Sequence, residues 1–193
     1  GKRDEALKVA EELLTDIELE QLAPISIVRK ASRLARLIDD TEANSWLNYE
    51  VGGYPSNGNG KGLSREEWNA AVKSGRCYSK TKDGTTKEYA NASTLAMLHA
   101  NVESSKTRLA HADSGNFVER NNQQNTIATN QDVIDKVIGA VYQYVAKIHH
   151  ELRFGAVVAT AFENLRNTVD AEIAALVPDA LPILSTALEN AQT

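Results

Sequence analysis

ISIVRKASRLARLIDDTEANSWLNYEVGGY, running from Ile25 to Tyr54, decides the fold class of this chain. Ile27, Ala31, Leu34 and Ile38 recur at spacings of three and four, the period at which side chains line one side of an α-helix, and Val28 and Ala35 widen that ridge. Arg29, Arg33 and Arg36 fall at i, i+4 and i+7 and make a second stripe facing away from the core, with Lys30 at its flank. Ser26 is suited to cap the helix, because its hydroxyl can accept from a free backbone N–H of the first turn. Asp39, Asp40, Thr41 and Glu42 then place acidic and capping groups where the dipole of a following helix favours negative charge. Trp46, Leu47 and Val51 supply the buried side of that helix, and Gly52-Gly53 stops it. Glu50 sits one turn beyond Trp46 and is placed to bond back to the basic helix or to Tyr54, a structural role.

Outward from this stretch the helical pattern continues. Residues 2–22 carry Ala6, Val9, Leu13 and Ile17 on one face, and Pro24 ends that segment. Pro55 to Gly62 is a loop by composition, and Ser64 with Glu67 makes a capping box for a short helix through Lys73. Arg76 to Tyr89 reads as a hairpin turning at Asp83-Gly84, polar enough that it must lean on a helix. Ser93 to His111 is a further helix, whereas residues 113–130 have no sustained period and read as a long surface loop or mobile strand. Asn130 caps a helix of about 22 residues, ~33 Å long, carrying Ile134, Val137, Ile138, Val141, Val145, Ile148 and Leu152. Gly155 breaks or bends it, a second helix with Val158, Phe162, Leu165, Val169, Ile173 and Leu176 ends at Pro178, and Leu181 to Leu188 form a last short one. The two long helices would form an antiparallel hairpin. The expectation is a mainly α fold, a single-domain helical bundle of residues 1–193 with a small β-hairpin.

Composition sets the class of protein. At 193 residues, 42% hydrophobic and 24% charged, the chain has the make-up of one ordinary globular domain, and with aromatics at 6% its core must be mostly Ala, Leu, Ile and Val. A net charge of -5 argues against bulk polyanion binding while leaving local basic stripes open. The lone Cys77 cannot form an internal disulfide, which fits a reducing cytosol. No apolar run approaches the ~20 residues that span a bilayer, so a cytoplasmic location without membrane contact is expected. Gly1 in place of Met reads as a trimmed terminus.

Familiar catalytic patterns do not assemble. Gly58-Asn59-Gly60-Lys61-Gly62 lacks the Ser or Thr that a P-loop places after its lysine, and no strand leads into it. His149, His150 and Glu151 miss the i, i+4 histidine pair of a zinc helix, since position 154 is Phe. Cys77 lies in a polar hairpin with no activating neighbour in sequence. No metal and no cofactor is therefore expected. The Arg29/Lys30/Arg33/Arg36 stripe has two readings, a solvated face paired with nearby carboxylates or a surface for an anionic partner. Arg76, Tyr78, His149 and Glu151 are the residues from which a polar enzyme site could be built.

The order and spacing of several blocks resemble the AbiTii family, helical domains of bacterial phage-defence proteins named for one member of a two-component abortive-infection system. Ile27-Val28-Arg29-Lys30-Ala31 with Leu34-Ala35, then Trp46-Leu47, Glu50 and Gly53-Tyr54, carry the resemblance in the N-terminal part. Val141-Tyr142, His149-His150-Glu151-Leu152, Phe162-Glu163-Asn164-Leu165-Arg166, Val169-Asp170 and Val177-Pro178 carry it in the C-terminal part. The similar blocks cover about residues 20–54 and 138–190, and residues 56–130 read as an insertion particular to this chain. The resemblance implies antiviral defence in a bacterial cytoplasm and a protein partner encoded nearby. It assigns no catalytic residue; Trp46, Glu50, Gly53 and Tyr54 are its structural signature. Three readings follow: a non-enzymatic regulatory, sensing or interaction module; a nucleic-acid-binding component using Arg29, Lys30, Arg33 and Arg36; or a toxin-like effector enzyme built on Arg76, Tyr78, His149 and Glu151. Homo-oligomerisation through the long C-terminal helices is compatible with each.

Overall fold

The helix at the centre of the fold is α2, Pro24–Leu37, which packs against α1 (Lys2–Glu18), α3 (Thr41–Gly52) and α5 (Leu95–His111). The computed structural model describes residues 1–56, 62–176 and 181–191. Between these helices lie α4 (Arg65–Lys73) and the antiparallel strands β1 (Cys77–Lys82) and β2 (Thr85–Ala90); α6 (Phe117–Leu176) and α7 (Leu181–Ala191) complete a mainly α fold with one hairpin. The described residues cluster into two compact units, Gly1–His149 and His150–Thr193, and α6 contributes to both.

In the first unit the apolar ridges meet as their spacing dictates. Ala6, Ala10 and Leu13 of α1 and Val28, Ala31, Leu34 and Ala35 of α2 are wholly buried, and the alanines let the two helices approach closely. Leu47, Leu95, Val137, Val141 and Val145 close the core from α3, α5 and α6. Each buried Leu or Val contributes roughly 1.5–3 kcal/mol through removal from water. Trp46 and Tyr144 meet in a T-shaped pair, ring centroids 6.3 Å apart, which ties α3 to α6. The second unit pairs the C-terminal part of α6 with α7, joined by an Arg166–Glu189 ion pair at 3.0 Å. On that part of α6, Phe154, Val157, Phe162 and Leu165 stay exposed.

Several local expectations need correction. The expected loop over residues 113–130 is confined to residues 113–116, since α6 begins at Phe117, where the Asn116 side chain accepts from the Glu119 amide at 3.1 Å. Once the apolar positions from Ile134 onward anchor a helix, adding each further turn is favourable even for Asn and Gln. Asn130 is therefore interior, its Nδ2 donating to Thr126 O at 2.7 Å. Gly155 neither breaks nor ends the helix, so residues 130–176 form no short-linked helical hairpin. One helical glycine costs about 1 kcal/mol, too little to interrupt a helix held on both sides. Ser26 is not a cap: α2 starts with Pro24 at its first position and Ala23 at the cap, where a missing N–H costs nothing. α1 ends at Glu18, before Pro24, and Val51 is only half-buried. The hairpin is largely exposed on both strands; only Cys77 and Ala90 at its base are partly covered. Most of the Gly58–Gly62 loop and the Val177-Pro178 pair lie outside the described residues.

Other signals hold. Ser64 and Glu67 form the reciprocal capping box, Asp40 accepts from the Ala43 amide at 2.9 Å, and Gly53 closes α3 at φ +86°. Asp83 and Gly84 turn the hairpin with φ of 51° and 73°, the left-handed pair that suits a two-residue turn. No helix among the described residues is long and apolar enough to cross a membrane.

Candidate functional site

Glu50 and Arg76 form an ion pair inside the first unit, both side chains fully buried, with Arg76 Nη2 donating to Glu50 Oε2 at 2.7 Å. Arg76 Nε adds bonds of 2.9 and 3.1 Å to the same carboxylate, and Nη1 donates to the carbonyls of Asn91 and Ser93 at 3.0 and 2.7 Å. Tyr54 OH donates to Glu50 Oε1 at 2.6 Å and lies 3.4 Å from the Ser74 hydroxyl. Burial first, then the Glu50 charge, push the Tyr54 phenol well up, so it stays a donor. The Arg76 guanidinium also lies 5.4 Å from the Tyr54 ring centroid. Of the two partners open to Glu50 in the sequence, Tyr54 is the one it meets. Ser74 and the two carbonyls carry no signal in a sequence, because chain-distant segments bring them there.

The basic stripe is exposed but mostly engaged. Arg33 pairs with Glu5 at 2.6 Å and Lys30 with Asp16 at 2.5 Å and Glu12 at 3.9 Å, while Arg36 donates to Ser32 Oγ at 2.8 Å. Arg29 is exposed beside them. The carboxylates come from α1, so the stripe lies along the α1–α2 contact.

The four polar residues have separate surroundings. Arg76 is inside the core network; Tyr78 is exposed on β1 and stacks on Tyr89; His149 stands 3.5 Å from Glu11; Glu151 is exposed in the second unit. Burial, then Glu88, push the Cys77 thiol up, the opposite of activation. Among the described residues no group of three or more His, Cys, Asp or Glu is gathered as a metal set.

An open groove of about 690 Å³ lies between the end of α1, the start of α2 and α6. Half-buried Ile17, Leu22, Pro24 and Ile138 make an apolar floor. Glu18, Glu20 and Asp135 are exposed on its rim, and Tyr142 OH donates to Glu18 at 3.0 Å. Gly139 leaves a gap in the α6 wall, since a Cβ added there would meet nothing within 4 Å. Ile17, Ile27, Ile134 and Ile138 read as core positions in sequence; only their three-dimensional meeting makes a groove.

No curated protein and no solved structure matches the chain. A family model described as AbiTii matches residues 8–174, a span that takes in residues 20–54, 56–130 and the C-terminal blocks up to Val169-Asp170 but stops short of Val177-Pro178. The chain, whose buried Glu50–Arg76–Tyr54 network lies within the matched span, belongs to the AbiTii family, which points to a role in abortive infection against phage.

Proposed function

We propose that the chain is a non-enzymatic interaction module of a phage-defence system, and that a partner protein docks in the groove between α1, α2 and α6. The observation that carries this is the pairing of an apolar floor with a rim of three carboxylates, Glu18, Glu20 and Asp135. At about 690 Å³ the groove lies within the ~300–1,000 Å³ range of binding clefts. Charge complementarity selects the occupant, an amphipathic segment of the partner with apolar residues on one side and Lys or Arg along its flanks. The Arg29–Arg36 face supports a nucleic-acid reading less well, because Glu5, Glu12 and Asp16 already offset its charge.

A fluorescein-labelled helical Lys/Leu peptide and its Glu/Leu counterpart, titrated by anisotropy, test this reading. The Lys/Leu peptide should bind with an affinity that falls as salt rises, and the Glu/Leu peptide should not bind. Gly139→Leu, whose Cβ would meet nothing within 4 Å, places a bulky side chain in the groove and should weaken binding at least tenfold with the melting temperature kept. Unchanged binding by Gly139→Leu and by Glu18→Lys/Asp135→Lys removes the groove. Turnover of a nucleic acid, a nucleotide or a protein by the purified chain overturns the non-enzymatic reading.

A further inference from the structure

The hairpin sorts its residues by face. Its register sets Tyr78 opposite Tyr89, Lys80 opposite Lys87 and Lys82 opposite Thr85. Alternate residues of a strand share a face, so these six lie together, while Cys77, Ser79, Thr81, Thr86, Glu88 and Ala90 occupy the other. Tyr78 and Tyr89 stack with centroids 5.7 Å apart and planes at 22°, both 41% exposed. Lys80 Nζ stands 5.4 and 5.7 Å from the two rings. Lys80, Lys82 and Lys87 are exposed around a shallow depression of about 410 Å³, with Asp83 of the turn its one acidic neighbour.

This arrangement is costly for the hairpin itself. Two lysines directly opposite each other repel, and a two-stranded ribbon exposed on both faces has little burial to offset the repulsion. An anion lying across the pair relieves it. Lysines two residues apart on a strand are spaced by about 6.8 Å, a row that can follow a chain of phosphates. Beside them the tyrosines offer what a flat heterocycle stacks on.

We propose that this face binds single-stranded nucleic acid, with phosphates on Lys80, Lys82 and Lys87 and an unpaired base against the Tyr78–Tyr89 pair. The tyrosines favour a single strand over a duplex, whose bases are already stacked. The site is separate from the groove and does not depend on what docks there.

The test is fluorescence anisotropy on the full chain with labelled oligo-dT, oligo-rU and a duplex of equal length. Single strands should bind, with log K falling against log salt at a slope near -2, about -0.7 for each of three phosphates. Lys80→Glu/Lys82→Glu/Lys87→Glu should abolish binding. Tyr78→Ala/Tyr89→Ala should weaken it about tenfold and leave the slope unchanged. Ser79→Glu/Thr86→Glu adds acid to the opposite face and should bind as the parent chain does; circular dichroism checks that each variant is folded. Lysine variants with parental affinity overturn the proposal. So does equal binding of the duplex or of heparin, which would show general attraction for polyanions, and so does loss of binding in the opposite-face variant.

Discussion

Arg76 shows how much one side chain can hold. Its guanidinium joins α3 through Glu50 to the segment after β2 through the Asn91 and Ser93 carbonyls, with no water-exposed surface on either charged group. Removing one partner of a buried pair leaves the other charged and uncompensated, so Arg76→Ala should cost about 3–5 kcal/mol in urea unfolding. Arg76→Lys should recover only part of that, because an ammonium cannot reproduce the fork that serves one carboxylate and two carbonyls. Glu67 gives a different, pH-dependent effect. Hydrogen bonds from the Ser56 amide first, and from that of Ser64, hold its carboxyl at about 2, below the ordinary 4.5. The folded form thus binds fewer protons than the unfolded one, and the stabilisation is complete above pH 4.5 and lost as pH falls toward about 2. Glu67→Gln should lower the urea midpoint at neutral pH, and the gap from the parent chain should close over that acid window.

At the scale of elements, three helices end alike. After α1, α2 and α4 the amide three residues beyond the helix donates to a carbonyl five residues back: Gln21 to Asp16, Asp40 to Ala35 and Arg76 to Ala71. The residue before each donor is left-handed, and these are Glu20 at φ 52°, Asp39 at φ 56° and Gly75 at φ 75°. Glycine suits that conformation, and at Gly75 a Cβ would also meet Lys136 at 3.3 Å. Glu20 has no such ease, so Glu20→Gly should stabilise the fold by about 1 kcal/mol in urea unfolding. Ends marked by local chemistry, such as Gly53, Gly75 and the Ser64–Glu67 box, were legible in the sequence. The end of α1 at Glu18 was not, since Leu19, Glu20 and Gln21 carry no stop signal and the turn is closed by backbone bonds, from the Glu20 and Gln21 amides to the Ile17 and Asp16 carbonyls. The start of α6 was hidden for the converse reason: Asn121, Asn122, Gln123 and Gln124 have no apolar period, and their helicity comes from turns further along.

For the whole molecule, sequence periodicity revealed the core and concealed its gaps. Ala6, Leu13, Val28, Leu34, Leu47, Val141 and Val145 were all visible as ridge positions and all are buried. The groove could not be seen in that way, because residues 17–27 and 131–142 meet only in space. The hairpin was legible as a hairpin, but the sorting of its lysines and tyrosines onto one face depends on register, which the Asp83-Gly84 turn sets.

One feature of the hairpin bears on how such a protein can change. Its two ends are tied to each other and to the core by Arg76, whose carbonyl accepts from the Asn91 amide at 3.0 Å while its guanidinium grips the Asn91 and Ser93 carbonyls. Everything between Tyr78 and Tyr89 is outside that knot and largely exposed. The ribbon is therefore a cassette, open to replacement of its residues or length with little effect on the helices beneath. That segment is a place where the surface of the protein can change while the helical core stays folded.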